Sequence, residues 1–282
     1  MIQITECPRD AMQGLADFIP TETKIQYLNA LLRVGFDTLD FGSYVSPKAV
    51  PQMADTAEVL AGLDLSSTST KLLAIVANRR GAESAAAQAA IHFLGYPFSV
   101  SETFQQRNTR KSMAESLDLV KDMLERCEGA GKELMVYLSM AFGNPYGDPW
   151  SPELVEEWAE KLVEMGVEHL ALADTVGTAD TESIQQLFTA LLPRFPEVHI
   201  GAHLHAKPEE RLGKIAAAYE AGCRSFDVAM RGFGGCPFAD DELTGNVATE
   251  SLLEFCDSRK VDTSIDRNAF MEAGQLALQV FG

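Results

Sequence analysis

Short apolar runs recur along the chain, each followed by a stretch of helix formers with a mixed polar face. The runs at 2–7 (IQITEC), 38–42 (TLDFG), 72–77 (LLAIVA), 90–95 (AIHFLG), 134–140 (LMVYLSM), 169–174 (HLALAD), 199–205 (HIGAHLH) and 225–230 (SFDVAM) have the length and composition of buried parallel strands. Between them the pattern predicts helices over 21–34, 54–62, 79–88, 110–129, 152–165, 180–192 and 208–221. Ser151-Pro152-Glu153 and Thr21-Glu22-Thr23 have the chemistry of helix starts. Gly35, Gly131, Gly166 and Gly222 stand where helices must stop. Eight strand–helix units in 282 residues predict an α/β fold of the (β/α)8 TIM-barrel type. A doubly wound open sheet is the competing arrangement, and the lack of a GxGxxG after the first strand disfavours its dinucleotide-binding form. No linker-like break divides the chain, so one domain over 1–282 is expected, with a glycine-rich active-site lid at about 231–248.

Composition narrows the function. Twenty-three Lys+Arg against 41 Asp+Glu give a net charge of −18, which argues against a nucleic-acid or anionic-membrane surface but leaves room for a local anion site. No apolar run approaches a membrane span, and Met1–Glu6 lacks a basic, signal-like start. Five scattered cysteines read as reduced thiols, so a cytoplasmic location is expected.

A barrel places its chemistry at the C-terminal ends of its strands. Polar residues collect there: Cys7-Pro8-Arg9-Asp10, then Asp40 and Ser43, Asp174-Thr175, His203-Leu204-His205, and the loop Gly232-Phe233-Gly234-Gly235-Cys236-Pro237 running on to Asn246. His203 and His205, two apart on a strand, project to one side about 6.5–7 Å apart at the backbone, a spacing that suits two ligands of one metal ion. The same spacing also serves a plain pair of core or surface imidazoles. Asp10 is the natural third ligand, although an Asp after a strand is also a turn former or helix cap. Two imidazoles with oxygen ligands suit Mg2+ or Mn2+ without excluding Zn2+, Co2+ or Fe2+. Arg9 has the donors to hold a substrate oxyanion or carbonyl oxygen, or to pair with Asp40. A thiol on a glycine-rich lid, Cys236, can deliver a proton after closure. The Asp240-Asp241-Glu242 run solvates the lid.

The segments PRD (8–10), SYVSPKAVPQMADTAEVL (43–60), ADTVG (173–177), AHLH (202–205) and GGCPFADDELTGNVATE (234–250) together resemble the 3-hydroxy-3-methylglutaryl-CoA lyase family, one of the metal-dependent lyase and synthase barrels. The resemblance runs in order over nearly the whole chain. It implies an oxo-acid lyase in leucine degradation, with Asp10, His203, His205 and Asn246 holding a divalent cation, Mg2+ or Mn2+. It implies catalytic roles for Arg9, Asp10, Cys236, His203, Asp40 and Asp174, with Arg9, Ser43 and Lys48 binding substrate. The reaction implied is a retro-Claisen cleavage. The substrate's 3-hydroxyl loses a proton to His203 or Asp10, acetoacetate leaves, and the acetyl-CoA enolate, held by Arg9, takes a proton from Cys236. A homodimer is implied as well.

Several positions depart from the family pattern: Ala206 for an Asp after HxH, Gln13-Gly14-Leu15 for Gln-Asn-Glu, Ala171 for a Ser, and one extra residue between Cys236 and Asn246. The chain also ends at EAGQLALQVFG, short of a tail that helps hold CoA in relatives. These departures keep open a same-superfamily enzyme for a related 3-hydroxyglutaryl-CoA or a free hydroxy acid. A barrel without catalysis, serving as a binding subunit, is disfavoured by the joint presence of Arg9, Asp10, both His, Cys236 and Asn246.

Overall fold

A computed structural model describes residues 1–234 and 244–282. In chain order it contains β1 (Gln3–Glu6), α1 (Pro8–Gln13), α2 (Thr21–Leu32), β2 (Thr38–Ser43), α3 (Thr56–Ala61), β3 (Lys71–Ile75), α4 (Arg79–Ala86), β4 (Ile91–Ser99), α5 (Glu102–Thr109), α6 (Met113–Ala130), β5 (Glu133–Ser139), α7 (Pro152–Glu164), β6 (His169–Ala173), α8 (Thr181–Arg194), β7 (His199–His203), α9 (Arg211–Glu220), β8 (Ser225–Val228), α10 (Thr249–Arg259) and α11 (Arg267–Phe281). The strands close in sequence order into a parallel barrel, with β1 paired to both β2 and β8. The (β/α)8 expectation holds and the open-sheet alternative does not.

The alternation along each strand divides the core in two. Outward residues such as Ile4, Leu39, Leu72, Leu94, Val136, Leu170 and Phe226 pack under the helix ring in one continuous cluster. Inward residues Leu73, Ile75, Phe93, Tyr137 and Ala171 form a smaller plug inside the barrel. Each such large side chain contributes about 1.5–3 kcal/mol on burial, so the plug and the ring make a rigid floor for whatever sits above.

Local signals explain most element ends. The Ser151 hydroxyl accepts from Leu154 N at 3.2 Å with Pro152 in the first turn, as the sequence predicts. Gly35, Gly131, Gly166 and Gly222 all have positive φ at the helix ends where they were expected. Thr21 does not cap α2, because Pro20 occupies the cap and the Thr21 hydroxyl instead donates to Asp55 at 2.8 Å. The predicted helix over 110–129 is α6 alone, and β4 runs on to Ser99 with α5 following it, a helix the periodicity did not show. Helix α10, which completes the eighth unit after β8, and the terminal helix α11 lie outside the predicted helical stretches as well.

Candidate active site

The site is built at the C-terminal rim of the barrel. After β1 the chain turns at Cys7, and Pro8 starts the short helix α1, whose first turn carries Arg9 and Asp10. The register of β7 with β8 sets His203 opposite Asp227, so neighbouring strands present the two side chains to the same interior face. His203 Nδ1 lies 3.0 Å from Asp227 Oδ2. His205, just past the end of β7, forms an isolated antiparallel bridge with Asn246. Backbone bonds from Ala206 N to Gly245 O (2.9 Å) and from Val247 N to Leu204 O (3.1 Å) hold that bridge shut. The 244–248 segment is thereby laid along the end of β7 with Asn246 aimed inward.

These placements bring three of the four expected ligands into one group. One ligand atom each from Asp10, His203 and His205 lies within 4.8 Å of the other two, and all three residues are buried. His205 Nε2 stands 4.0 Å from Asp10 Oδ2. Asn246 joins them through its amide nitrogen, which donates to Asp10 Oδ2 at 2.8 Å and to Phe233 O at 2.9 Å. A cation would take the oxygen of that amide, so the carboxamide must be turned end for end when it serves as a ligand.

Two observations show that the group fits a divalent cation. Both imidazoles have Nδ1 engaged, His203 with Asp227 and His205 with the Thr175 carbonyl at 3.2 Å, which leaves both Nε2 atoms as the available ligand atoms. His205 Nε2 is buried with no hydrogen-bond partner among the described residues. An orphaned imidazole nitrogen beside a carboxylate is a costly arrangement without a cation to satisfy it. Burial raises the Asp10 carboxyl, but Arg9, both imidazoles and the Asn246 amide outweigh it and hold the group down at about 2, ready as an anionic ligand. Burial pulls both imidazoles toward neutrality; the bond and charge of Asp227 reverse this at His203, while His205 stays below its ordinary value.

Arg9 is committed on three sides. Nε and Nη2 grip Asp40 at 2.5–3.2 Å, and Nη1 donates to Asp10 at 2.9 Å and to Gln13 at 3.0 Å. Arg9 is thus ion-paired to Asp40, as one of its two expected roles has it, and it also lines the cavity. Of the five N–H groups of a guanidinium, one on Nη2 has no protein acceptor among the described residues. The fork is fixed, and that remaining donor is the one available to a ligand. Burial pushes Asp40 up to about 6 against the pull of Arg9, so it is still ionised near neutrality. Asp40 positions Arg9.

The cavity above this group is about 500 Å3, a size that accommodates a small organic ligand. Ser43, Lys48, Tyr137 and Thr175 share its wall with Arg9, Asp10 and the two His. Ser43 lies there as expected, its hydroxyl donating to Ile75 O at 3.2 Å. Asp174 is a correction. Its carboxylate accepts from the buried Lys214 Nζ at 3.0 Å and from Ala179 N at 3.1 Å and does not line the cavity. Its neighbour Thr175 acts in its place, with its carbonyl orienting His205. Cys236 lies outside the described residues. Ala171 is buried in the plug and Ala206 beneath the rim, each with a methyl where the family pattern has a polar group.

Sequence reasoning missed three contributors. Asp227 was visible as a carboxylate inside an apolar strand, and Lys214 as a lysine on the apolar face of α9, where it ties Asp174 to the His205 carbonyl at 2.8 Å. Tyr137 was hidden in an ordinary strand, yet its ring meets His203 edge-on at 5.4 Å. Gly234 shows why the loop stem is glycine: at φ +96° a Cβ would stand 2.7 Å from Asn246 Nδ2 and 2.8 Å from Ala11 Cα.

Comparison with known proteins agrees with this geometry. The chain is 33% identical over 268 residues to the hydroxymethylglutaryl-CoA lyase of Bacillus subtilis, covering 95% of this chain and 89% of that protein. It is also 33% identical over 275 residues to the 3-hydroxy-3-isohexenylglutaryl-CoA/hydroxymethylglutaryl-CoA lyase of Pseudomonas aeruginosa, covering 98% and 91% of the two chains. The solved structure of an HMG-CoA lyase from Acinetobacter baumannii in complex with coenzyme A and 3-methylmalate superposes with a TM-score of 0.91 at 29% identity, over 99% of this chain and 91% of that one. A family model described as HMGL-like matches residues 2–277, and with the barrel and its Asp-His-His cluster this establishes that the chain belongs to the HMGL-like family.

Proposed function

We propose that the protein is a divalent-metal-dependent lyase that cleaves 3-hydroxy-3-methylglutaryl-CoA to acetyl-CoA and acetoacetate. The observation that carries the reading is the convergence of Asp10, His203 and the orphaned His205 Nε2 beside the fixed guanidinium of Arg9. Asp10, His203, His205 and Asn246 would hold the cation, which supplies Lewis-acid activation of the substrate's 3-hydroxyl.

The chain's own groups then divide the work. Asp10 or His203, both on the cavity wall, takes the proton of that hydroxyl, after which the C2–C3 bond breaks and acetoacetate leaves. The spare Nη2–H of Arg9 meets the thioester oxygen as it becomes an enolate, and the Asp40 grip fixes that donor before the charge develops. The Cys236 thiol returns a proton to the enolate carbon. Asp174 with Lys214 and Asp227 act one step removed, by orienting His205 and His203. Magnesium or manganese as the cation, a homodimeric assembly, and a place in leucine breakdown belong to the same reading and rest on the family resemblance. A cytoplasmic location is supported by the four described cysteines, all free and buried.

The test is acetoacetate release from the CoA thioester by the purified protein with Mg2+ or Mn2+ and after chelation. Metal-dependent release is the expected outcome, and none under either condition refutes the reading. A second substrate with a longer 3-substituent is favoured by the double name of the Pseudomonas relative, and the same assay with an isohexenyl analogue measures it.

A further inference from the structure

The cavity does not end at the metal-ligand group. Its wall continues outward to the turn between α5 and α6, where it is lined by Asn108, Arg110 and Lys111, with Lys48 beyond the end of β2. In a chain with 41 acidic and 23 basic side chains, cations are expected to find carboxylates. Several do, as Lys24 with Asp55 at 2.7 Å, Lys214 with Asp174 at 3.0 Å and Arg259 with Glu220 at 2.9 Å. Lys48, Arg110 and Lys111 lie within salt-bridge distance of no carboxylate among the described residues. Three cations without a salt-bridge partner among the described residues thus gather at one cavity mouth, on a protein of net charge −18.

The turn that carries two of them is tightly built. Arg110 closes α5 with its backbone N–H on Gln106 O, and it does so at φ 58°, in the left-handed region where Gly or Asn is the less costly residue. On one side the Thr109 hydroxyl donates to Gln105 O at 2.9 Å. On the other, Ser112 and Glu115 form a capping box on α6, and Glu102 accepts from Met113 N at 2.9 Å. An arginine whose backbone is held at a left-handed position, in a turn fixed at both ends, sets its charge at the cavity mouth.

We propose that Arg110 and Lys111, completed by Lys48, are an anion clamp for the phosphate groups of the coenzyme A half of the substrate. This rests on the acyl-CoA reading given above, and assigns the recognition of the carrier to the α5–α6 turn. The clamp acts on binding and leaves the bond-breaking step to the cluster at the barrel rim. It therefore governs KM and its dependence on salt, and it distinguishes a CoA thioester from a thioester of the same acyl group on a short, phosphate-free thiol.

The experiment uses the full chain with its metal and the variant Arg110→Asn/Lys111→Gln, in which Asn retains the left-handed turn; unchanged thermal melting verifies the fold. KM and kcat are measured for 3-hydroxy-3-methylglutaryl-CoA and for the corresponding N-acetylcysteamine thioester. Binding of coenzyme A alone is measured by calorimetry, with inorganic phosphate and 3′,5′-ADP as competitors. Removing two charge-assisted, partly solvated phosphate contacts is expected to raise KM for the CoA thioester, and Kd for coenzyme A, by about 10- to 100-fold. KM for the short thioester should stay within twofold and kcat within threefold. In the parent, KM for the CoA thioester should rise with NaCl, and in the variant that dependence should flatten. Competition by 3′,5′-ADP far below the concentration of inorganic phosphate required identifies the carrier as the source of the anion; equal potency of the two overturns that assignment. A KM that rises equally for both thioesters, or for neither, overturns the clamp. If the parent binds coenzyme A through the turn and releases no acetoacetate, the reaction fails and the clamp stands. If the parent cleaves the thioester and the variant is indistinguishable, the reaction stands and the clamp fails.

Discussion

Glu6, on the outward face of β1, is wholly buried, and its two oxygens accept from Met230 N and from the Thr249 hydroxyl, both at 2.6 Å. Met230 and Thr249 flank the segment that includes the glycine-rich loop, so one carboxyl ties both of its stems to the first strand. Burial, opposed only in part by these two hydrogen bonds, raises the group from 4.5 to about 8. Because the folded-state value is the higher one, the folded protein binds this proton more tightly than the unfolded chain. The resulting stability is fully present below pH 4.5 and is lost as pH rises through about 8. With a shift of that size in a fully buried group, the loss across the window is about 5 kcal/mol. Glu6→Gln holds the neutral form at every pH. Its carbonyl accepts from Met230 N, and its NH2 donates to Thr249, whose hydroxyl reverses to accept. Urea midpoints of parent and variant, followed from pH 5 to pH 9, isolate the effect, since every other titrating group is common to both. The two proteins should differ little near pH 5, and the variant's advantage should grow steadily above that and level off past about pH 8. Parallel pH profiles would falsify the assignment of a raised Glu6, and a variant destabilised equally at all pH values would show that the hydrogen bonds, and not the charge, matter at this position.

Four further outcomes test the site. His205→Ala should lower bound metal and activity together, and parental metal affinity in that variant rules out the ligand assignment. Arg9→Lys keeps a charge but loses the planar fork, so kcat should fall by about 10²–10³ with metal affinity nearly intact; an unchanged kcat makes Arg9 a purely structural partner of Asp40. Asp227→Asn removes the carboxylate on His203 Nδ1 and should weaken metal binding by about 10- to 100-fold, read by competition with a chelating dye, while coenzyme A affinity stays put. Cys236→Ala should cut turnover by about 10²–10⁴ with metal content unchanged, and near-parental turnover transfers the proton delivery to another group.

The barrel was legible because its signals are local: each strand is a short apolar run, each helix a 3.6-residue pattern, and Gly35, Gly131, Gly166 and Gly222 mark the stops. The spacing of His203 and His205 on one strand, and the position of Asp10 just after another, made the metal-ligand group a reasonable expectation from residues alone. Asn246 came through the family resemblance, since nothing in its own surroundings says that it pairs with His205. The rest depends on register and on closure of the sheet, which join residues distant in sequence. Asp227 meets His203 only because β8 pairs with β7 in that register. Arg9 became a fixed fork because β2 carries Asp40 alongside α1, and Asp174 left the site because α9 brings Lys214 to it. The left-handed Arg110 gave no sign in a sequence whose pattern predicts a helix beginning at that residue. What the sequence determined by itself was which elements form and which side chains can carry chemistry, since periodicity and residue type are properties of short stretches. Which of those side chains face one cavity, and which are spent on holding others in place, was decided by long-range packing alone.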